Sequence, residues 1–504
     1  MIRIAWGHYS VGDKGGVNTV IKRNVTLLLD LFEDYEITIF GKMTQDIDNF
    51  LDFSHPRLSR IDMPFLNPDG KFLDRSIDDQ DYHDYRWMGA QIEKKFISLI
   101  DDFDIVMFEN SSVGNNPAVN IAFALHTQGS LSYTPEKQFI FRTHDFFFDR
   151  PSNFRNIKKV RNHRNDIVHD WHPVAFPNHE NSHYISINTN DAMTLYENGI
   201  SRENIHYLPN SITAANHEAD DKGPELRKLL ESKGLAERDE KIILYPIRTA
   251  PRKNVEEAIL LTQLFNKLAQ PDANVREKFR TSGKYRLIIS LDRQSGKFKP
   301  YADHIREFSK KHGLPVTTGV GDYVSLERTY DSDGSVVTYS MSDLYSMSDI
   351  VLTTSILEGF GMVFIEPWLF NKPLIGRNLF VTKDFREAGM KLGHLYDSLR
   401  VRGTDYPMYG MDDGPILYIA SNEYHQSELE KRLHVILELD NQETLRKFTE
   451  DNYLMVNGTL SMLRAAHNYL DYNKKIVMQE YSNESVARKL DSIIRTVYRE
   501  KGKE

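Results

Sequence analysis

The feature that most constrains the fold is an alternation of short apolar runs with helical patterns, which occurs in two blocks of the chain. In the first block, residues 17–32 carry apolar side chains at three- and four-residue spacing, which predicts an amphipathic helix. Short apolar runs predict buried strands at residues 2–6, 36–40, 104–108, 138–141 and 184–187. Such alternation favours a parallel sheet covered by helices on both faces.

The second block begins after a polar stretch, residues 213–240, which we interpret as a linker with a short helix. A length of 504 residues is too great for one ordinary core, so two domains are expected. Strands are predicted at residues 241–246, 286–291, 349–354 and 372–376, and helices at residues 255–268, 301–312 and 362–370. We therefore expect two doubly wound α/β domains, residues 1–212 and 241–482.

Residues 483–498 form one further amphipathic helical pattern. This helix either packs on its own domain or crosses back to the first. We expect the second arrangement, in which residues 483–504 pack on the first domain. In parallel sheets ligands bind at the carboxyl ends of the strands, so a cleft between the two domains is the expected site.

Composition excludes several kinds of chemistry. The chain has no cysteine, which excludes disulfides, thiolate metal sites and cysteine nucleophiles. No run approaches the roughly 18 apolar residues of a membrane helix, and the N-terminus lacks secretory features, so a cytoplasmic protein is expected. A net charge of −9 argues against nucleic acid as partner. Peripheral membrane contact and oligomeric state stay open.

Two loops join a predicted strand to a predicted helix at corresponding places of the two blocks. In the first block Gly15 and Gly16 let a ligand approach the backbone, and the helix that follows offers free N–H groups to an anion. In the second block Arg248, Arg252 and Lys253 place three cations in such a loop, which suits a pyrophosphate.

A third loop carries two carboxylates. Glu358 and Glu366 are separated by seven residues, with Gly359 and Gly361 between them. The glycines leave backbone N–H groups open to a phosphate, and a carboxylate at Glu366 can accept both hydroxyls of a ribose.

This Glu-Gly-Phe-Gly-x4-Glu string resembles the E-x7-E signature of retaining GT-B glycosyltransferases, especially glycosyltransferase family 4. The pair Gly15 and Gly16, the Pro209-Asn210 turn and the cations of the second loop resemble that family as well. The resemblance implies the GT-B fold, with two Rossmann-like domains facing across a cleft. The first would be the acceptor domain and the second the nucleotide-sugar donor domain.

The resemblance also implies residue roles. Arg248 and Lys253 would neutralise the donor pyrophosphate, Glu366 would hold the ribose, and Glu358 and His144 would contact the transferred sugar. The remaining donor-binding residues would be Gly15, Gly16, Gly359, Phe360, Gly361 and Met362. Catalysis in this class depends on positioning and on stabilising the diphosphate charge. We therefore expect no required cofactor, and a nucleotide-diphosphate sugar as the donor substrate.

We expect no metal requirement. Asp-x-Asp strings, which bind a divalent cation in the other large glycosyltransferase fold, occur at residues 102–104 and 331–333. One lies at a strand start and the other in a polar loop, so both are interpreted as chance matches.

Six Lys or Arg residues between positions 150 and 164 point to an anionic acceptor. We name Asp145, Arg150 and Arg155 as candidate acceptor-binding residues. A phosphorylated or carboxylated small molecule, such as a sugar-glycerate, would suit this charge, as would an anionic lipid or polymer; a solvated basic loop is the alternative.

The sequence thus predicts a retaining hexosyltransferase that uses a donor of the UDP-glucose or GDP-mannose type. Two other functions stay open at this point. One is a GT-B sugar phosphorylase or nucleotide-sugar epimerase, and the other is a non-catalytic sugar-nucleotide binding protein.

Overall fold

A computed structural model describes residues 1–13, 15–67, 87–95, 102–127, 137–149, 175–213, 221–291, 298–325, 327–400 and 424–500. The backbone divides into two units. One comprises Met1–Thr213 with Glu480–Glu504, and the other comprises Ala214–Gln479.

The first unit contains a seven-stranded sheet in the order β3-β2-β1-β4-β5-β6-β7, and every neighbouring pair is parallel. Its strands are β1 Ile2–Val11, β2 Tyr35–Met43, β3 Leu58–Asp62, β4 Ile105–Glu109, β5 Gln138–Thr143, β6 Ser182–Ser186 and β7 Ile205–Tyr207. Its helices are Gly16–Leu31, Ile47–Phe50, Pro117–Thr127, Thr189–Glu197 and Asn483–Glu500, and residues 87–95 are also helical. The central strand β4 is buried along its whole length, as expected for a parallel sheet covered on both faces.

The second unit contains a five-stranded parallel sheet in the order β10-β9-β8-β14-β15. Its strands are β8 Glu240–Arg248, β9 Lys284–Leu291, β10 Val316–Thr317, β14 Ile350–Thr353 and β15 Leu374–Gly376. A small sheet of β11 Val324–Ser325, β12 Thr329–Tyr330 and β13 Val336–Ser340 precedes β14.

The helices of the second unit fall into two groups. Those that accompany the strands are Gly223–Ser232, Val255–Leu268, Lys299–Lys311, Met341–Met347, Glu366–Leu369 and Thr382–Glu387. Four more follow as Gln426–Glu438, Gln442–Asp451, Tyr453–Arg464 and His467–Tyr481. The two large sheets share one strand order, with the first strand of each at the centre between the second and the fourth. Both units are therefore doubly wound and Rossmann-like, as the alternation predicts.

The C-terminal helix belongs to the first unit. Its apolar face, which includes Leu490 and Ile494, lies in the same core as Ile21 and Val25 of the helix Gly16–Leu31. Polar contacts reinforce the packing, since Asp491 accepts a hydrogen bond of 2.6 Å from the hydroxyl of Tyr35. The crossing back of this helix to the first unit is confirmed.

One predicted element is wrong in its form. Residues 362–370 were expected to be one helix, but the structure has a 3₁₀ turn, Met362–Phe364, followed by the short helix Glu366–Leu369. Gly361 enters the turn with φ +86°, a conformation that side chains other than glycine rarely adopt. Glu366 is therefore the first residue of its helix rather than one turn into it. No helix in the described part of the chain is long and apolar enough to cross a membrane.

Candidate functional site

A loop with three cations lies where β8 ends. Arg248 is the last residue of that strand and is exposed, whereas Lys253, at the end of the 3₁₀ turn Pro251–Lys253, is only 9% exposed. Asn254 follows with φ +52°, a left-handed conformation that asparagine tolerates, and the helix Val255–Leu268 begins immediately after it. The left-handed residue turns the chain sharply, so Lys253 is held at the junction of strand and helix.

Lys253 and Glu358 form an ion pair. The Nζ atom of Lys253 donates a hydrogen bond to Oε1 of Glu358, and the two side chains are 11% and 12% exposed. Arg252 adds a longer contact of 3.5 Å from Nη1 to Oε2 of Glu358. The same Nη1 lies 2.6 Å from the carbonyl oxygen of Leu357. Two cations from the loop after β8 therefore meet one carboxylate from the loop after the neighbouring strand β14.

This environment keeps the carboxylate ionised. Burial by itself would raise the pKa of Glu358, but the charges of Lys253 and Arg252 outweigh it and lower the pKa to about 2. Burial is also the main influence on Lys253 and lowers its pKa, against the opposing effect of Glu358. A carboxylate with so low a pKa is an acceptor and a fixed negative charge at neutral pH, not a general acid.

The backbones of the two loops are bonded to each other. The hydroxyl of Tyr245 donates a hydrogen bond to the carbonyl oxygen of Lys253. The backbone N–H of Ile356 donates to the carbonyl oxygen of Arg252 over 3.0 Å. The hydroxyl of Thr354 donates to the carbonyl oxygen of Asn254 over 2.9 Å. Because these bonds are buried, the Lys253–Glu358 pair is held by a rigid frame.

Beneath this frame lies a buried ionic network that the sequence analysis missed. Arg377 makes two bonds of 2.7 Å to the carboxylate of Glu257, and Arg432 lies 2.9 Å from Oε1 of Glu256. Arg432 also donates to the side chain of Asn254. These contacts anchor the turn that carries Lys253. Their partners are far apart in sequence, so no local spacing could have revealed them.

The second carboxylate of the E-x7-E string is held separately. Oε2 of Glu366 accepts a bond of 2.6 Å from the hydroxyl of Tyr345, whose ring stacks on Phe370 at a centroid distance of 4.9 Å. Of the residues between the two carboxylates, Gly359 is exposed, whereas Phe360 is buried against Phe385. Met362 is half-buried. The Tyr345 bond thus holds one oxygen of the Glu366 carboxylate.

In the first unit, the glycine pair lies at the start of the helix Gly16–Leu31. Gly15 is the N-terminal cap residue, and no side chain caps this helix end. A Cβ atom built on Gly15 or Gly16 would meet nothing within 4 Å. Packing against the described residues therefore gives no reason for glycine at these two positions, which agrees with a backbone that a ligand can approach.

His144 belongs to a buried cluster at the carboxyl ends of β1, β4 and β5. Its Nε2 atom lies 2.7 Å from Oε2 of Glu109, and the indole N–H of Trp6 donates to Oε1 of Glu109 over 3.0 Å. Nδ1 of His8 lies 3.0 Å from the carbonyl oxygen of Glu109. Glu109 and Arg142, which pair in register on β4 and β5, are both fully buried.

Electrostatics in this cluster favour an ionised Glu109. Burial would raise the pKa of Glu109, but the charge of Arg142 and the bond from His144 lower it below its ordinary value. Burial lowers the pKa of His8 and that of Arg142. Of this cluster the sequence predicts only His144; a titratable residue at the end of each of several neighbouring apolar strands is the signal that could have found the rest.

The acceptor candidates are only partly described. Asp145 follows His144, and its backbone N–H donates to the side-chain oxygen of Asn110 over 3.1 Å. Arg150 and Arg155, with the basic stretch 150–164, lie outside the described residues.

Neither Asp-x-Asp string has the geometry of a metal site. Asp104 accepts a bond of 2.9 Å from the backbone N–H of Arg3, and Asp331 accepts bonds from the backbone of Asp333 and Ser335 within its own turn. Among the residues that the structure describes, no group of three or more histidine and carboxylate side chains could hold a metal ion.

No protein-family profile matches the sequence. The chain is 28% identical, over 378 residues, to the mannosylglucosyl-3-phosphoglycerate synthase of Petrotoga mobilis. The alignment covers 74% of this chain, and the chain spans 64% of the length of that relative.

Three solved structures resemble the whole chain. The Anabaena protein HepE in complex with UDP and glucose superposes with a TM-score of 0.51 at 12% identity, covering 98% of this chain and 100% of HepE. A glycosyltransferase of Rickettsia africae gives 0.53 at 14% identity and 98% coverage of both chains. The sucrose-phosphate synthase of Thermosynechococcus elongatus gives 0.52 at 12% identity, covering 99% and 100%. With two doubly wound units and these neighbours, the chain has the GT-B fold.

Proposed function

We propose that this protein is a retaining glycosyltransferase that moves a hexose from a nucleotide-diphosphate sugar to the hydroxyl of an anionic acceptor. The observation that carries the proposal is the convergence of Lys253, Arg252 and Glu358 at the carboxyl edge of the second sheet. Ligands of parallel α/β sheets bind at this edge. Arg248, exposed at the end of β8, adds a further cation to the same edge.

In the proposed reaction the second unit binds the donor. An ammonium group has three donor hydrogens, so Lys253 can keep its bond to Glu358 while it contacts the diphosphate. The cations would stabilise the negative charge that develops on the leaving diphosphate. Glu366, whose Oε2 is held by the hydroxyl of Tyr345, would accept the ribose hydroxyls.

Glu358 would contact the transferred sugar as an acceptor. With a pKa of about 2 it stays ionised and cannot protonate a leaving group at neutral pH. The leaving diphosphate itself would take the proton of the acceptor hydroxyl. This assignment fits a retaining transfer without a protein nucleophile. It also separates Glu358 and Glu366 from the acid and nucleophile pair of a glycosidase.

The acceptor proposal is supported by the Petrotoga relative. The name of that enzyme describes a product built on 3-phosphoglycerate, which carries a phosphate and a carboxylate. An acceptor of this class agrees with the basic character of residues 150–164. We propose a phosphorylated or carboxylated small molecule, with Asp145, Arg150 and Arg155 as candidate contacts.

A transfer assay followed by proton NMR tests the proposal. UDP-glucose and GDP-mannose would each be incubated with the protein and with 3-phosphoglycerate or its glucosyl derivative, with and without magnesium. The expected product has the anomeric configuration of the donor, and it forms with only one of the two nucleotides. An inverted product would overturn the retaining mechanism. Sugar transfer to inorganic phosphate, or an epimerised nucleotide sugar formed without acceptor, would identify one of the alternative enzymes.

A further inference from the structure

The buried cluster of the first unit has a polarity that apolar packing does not explain. Glu109, Arg142 and His144 are at most 8% exposed, yet they lie among apolar strands at the carboxyl edge of the sheet. Burying charged groups costs free energy that their mutual attraction only partly offsets. The cluster therefore points to a role other than stabilising the fold.

The hydrogen bonds determine where the proton of His144 lies. An ionised carboxylate can only accept hydrogen bonds. Oε1 of Glu109 accepts from the indole of Trp6 at 3.0 Å, and Oε2 faces Nε2 of His144 at 2.7 Å. Nε2 must consequently carry the proton. In the neutral ring Nδ1 is then the atom with a free electron pair, able to accept a hydrogen bond.

The backbone of His144 is also held in place by a hydrogen bond. The side-chain oxygen of Asn110, a residue with φ +62°, accepts the backbone N–H of His144 over 3.2 Å and that of Asp145 over 3.1 Å. With the backbone held by Asn110 and the ring edge held by Glu109, the position of Nδ1 has little freedom. The left-handed turn at Asn110 follows directly after Glu109, so one segment holds both ends of His144.

We propose that Glu109 is a positioning residue that holds His144 in the Nε2–H form and presents Nδ1 as an acceptor to a hydroxyl of the donor sugar. The assignment of a donor-sugar hydroxyl as the partner of Nδ1 rests on the proposed function. The position of the proton on the His144 ring does not. The group that meets Nδ1 must then be a hydrogen-bond donor, such as a sugar hydroxyl, and not a phosphate oxygen. Among the described residues, Arg142 on β5 and His8 on β1 act on the charge of Glu109, and Asp13, beyond β1, acts on that of His8.

Nitrogen NMR of histidine-labelled protein tests the form of the ring directly. The His144 signals would be assigned from a spectrum of the His144→Asn variant. The wild-type protein should show the Nε2–H form, and Glu109→Gln should show a mixture of both neutral forms. A wild-type ring protonated on Nδ1 would overturn the proposal, as would a variant spectrum identical to that of the wild type. This measurement needs neither donor nor acceptor, so its result is valid even if the proposed reaction is wrong. The wild-type spectrum alone can overturn the proposal, whether or not a Glu109 variant folds.

A double-mutant cycle tests the functional part. Loss of a group that orients a metal-bound histidine typically costs about 10- to 100-fold, and we take the same range for His144. We expect a fall of this size in kcat/KM for Glu109→Gln alone, and less than a twofold further loss when the same change is made in His144→Ala. Equal losses in both backgrounds would show that Glu109 acts independently of His144 and would overturn the proposal.

Glu93→Gln is the matched control. Glu93 is also fully buried in the first unit, and its carboxylate oxygens have no hydrogen-bond partner among the described residues. This change should leave kcat/KM within twofold of the wild type. If Glu93→Gln matched the loss in Glu109→Gln, disturbance of the unit by any buried substitution would explain both, and the positioning role would be rejected.

Discussion

The two sheets share a strand order, but the glutamates at the ends of their equivalent fourth strands differ in burial and in charge partner. In the first sheet Glu109 ends β4, is fully buried, and faces the imidazole of His144, which directly follows the neighbouring strand β5. In the second sheet Glu358 lies in the loop after β14 and pairs with Lys253 from the loop after β8. The same architecture thus encloses one carboxylate fully and leaves the other slightly exposed.

Under the proposed function, this difference would separate two kinds of chemistry. The pair of the second unit is 11% and 12% exposed, and exposed Arg248 ends the strand that precedes its loop, so these cations are the proposed contacts of a diphosphate. In the first unit the carboxylate is buried, and the ring of His144, which is 7% exposed, would recognise a hydroxyl. We therefore propose charge recognition by the second unit and hydroxyl recognition by the first.

The largest expected effect is that of Lys253→Ala. Removing a preorganised donor to the developing diphosphate charge should lower kcat about 10²- to 10³-fold. Lys267→Ala is the control, because Lys267 lies on the helix after the same loop and pairs with Asp440 at 2.5 Å. Steady-state kinetics should show nearly wild-type activity for the control. Similar losses of kcat in both variants would show that the Lys253–Glu358 pair matters no more for catalysis than the Lys267–Asp440 ion pair.

The next effect concerns stability and separates the enclosed carboxylate from the accessible one. Arg142→Met leaves Glu109 buried without its compensating charge, which should cost about 3–5 kcal/mol of unfolding free energy. Arg252→Met should cost less than about 1 kcal/mol, because the Arg252 side chain is 30% exposed and Glu358 keeps Lys253. Urea denaturation measures both. The comparison fails if the Arg252 variant is the less stable one.

A smaller effect is expected at the second carboxylate. Tyr345→Phe removes the bond to Glu366 but keeps the ring stack on Phe370, so the KM for the donor should rise about tenfold, equivalent to about 1.4 kcal/mol, with little change in kcat. Tyr424→Phe, which loses a contact of 3.2 Å to His304 elsewhere in the unit, should change neither constant. A fall in kcat with an unchanged KM in Tyr345→Phe would contradict the ribose role of Glu366.

The smallest effect is the pH dependence of stability. Since Lys253 and Arg252 outweigh burial and lower the pKa of Glu358 from 4.5 to about 2, ionised Glu358 stabilises the folded state above pH 4.5. That contribution is lost as the pH falls from 4.5 towards 2. Melting temperatures of Glu358→Gln should therefore fall less steeply than those of the wild type in this range.

Glu443 gives the comparison for this titration. Bonds from Arg446 and Lys447 also lower the pKa of Glu443 to about 2, but that group is exposed. Solvent screens exposed ion pairs, so Glu443→Gln should change the slope of melting temperature against pH less than Glu358→Gln. The reverse order would show that the Lys253–Glu358 pair is not protected from solvent.

Much of the fold could be predicted because it depends on local patterns. The helix Val255–Leu268 agrees with its prediction at both ends. Strand β3, whose sequence is half polar, and the small sheet around β13 carry too little apolar periodicity to be recognised.

Only those parts of the candidate site that are contiguous in sequence could be predicted. The E-x7-E string is one continuous stretch of sequence, whereas the bond between Glu109 and His144 joins the ends of two neighbouring strands. The contact between Lys253 and Glu358 likewise depends on the pairing of β8 with β14, which no spacing reveals. Strand order, and not sequence distance, decides which charged residues meet.

The most direct test of the donor site is thermal stabilisation by UDP, GDP, ADP and CMP, each with and without magnesium. The wild type, Lys253→Ala and Lys267→Ala would be compared. The account predicts that one nucleoside diphosphate raises the melting temperature of the wild type and of Lys267→Ala, without magnesium, and that the shift disappears in Lys253→Ala. The absence of a shift with every nucleotide, or an equal shift in Lys253→Ala, would contradict the assignment of the nucleotide-sugar site to the Lys253–Glu358 pair.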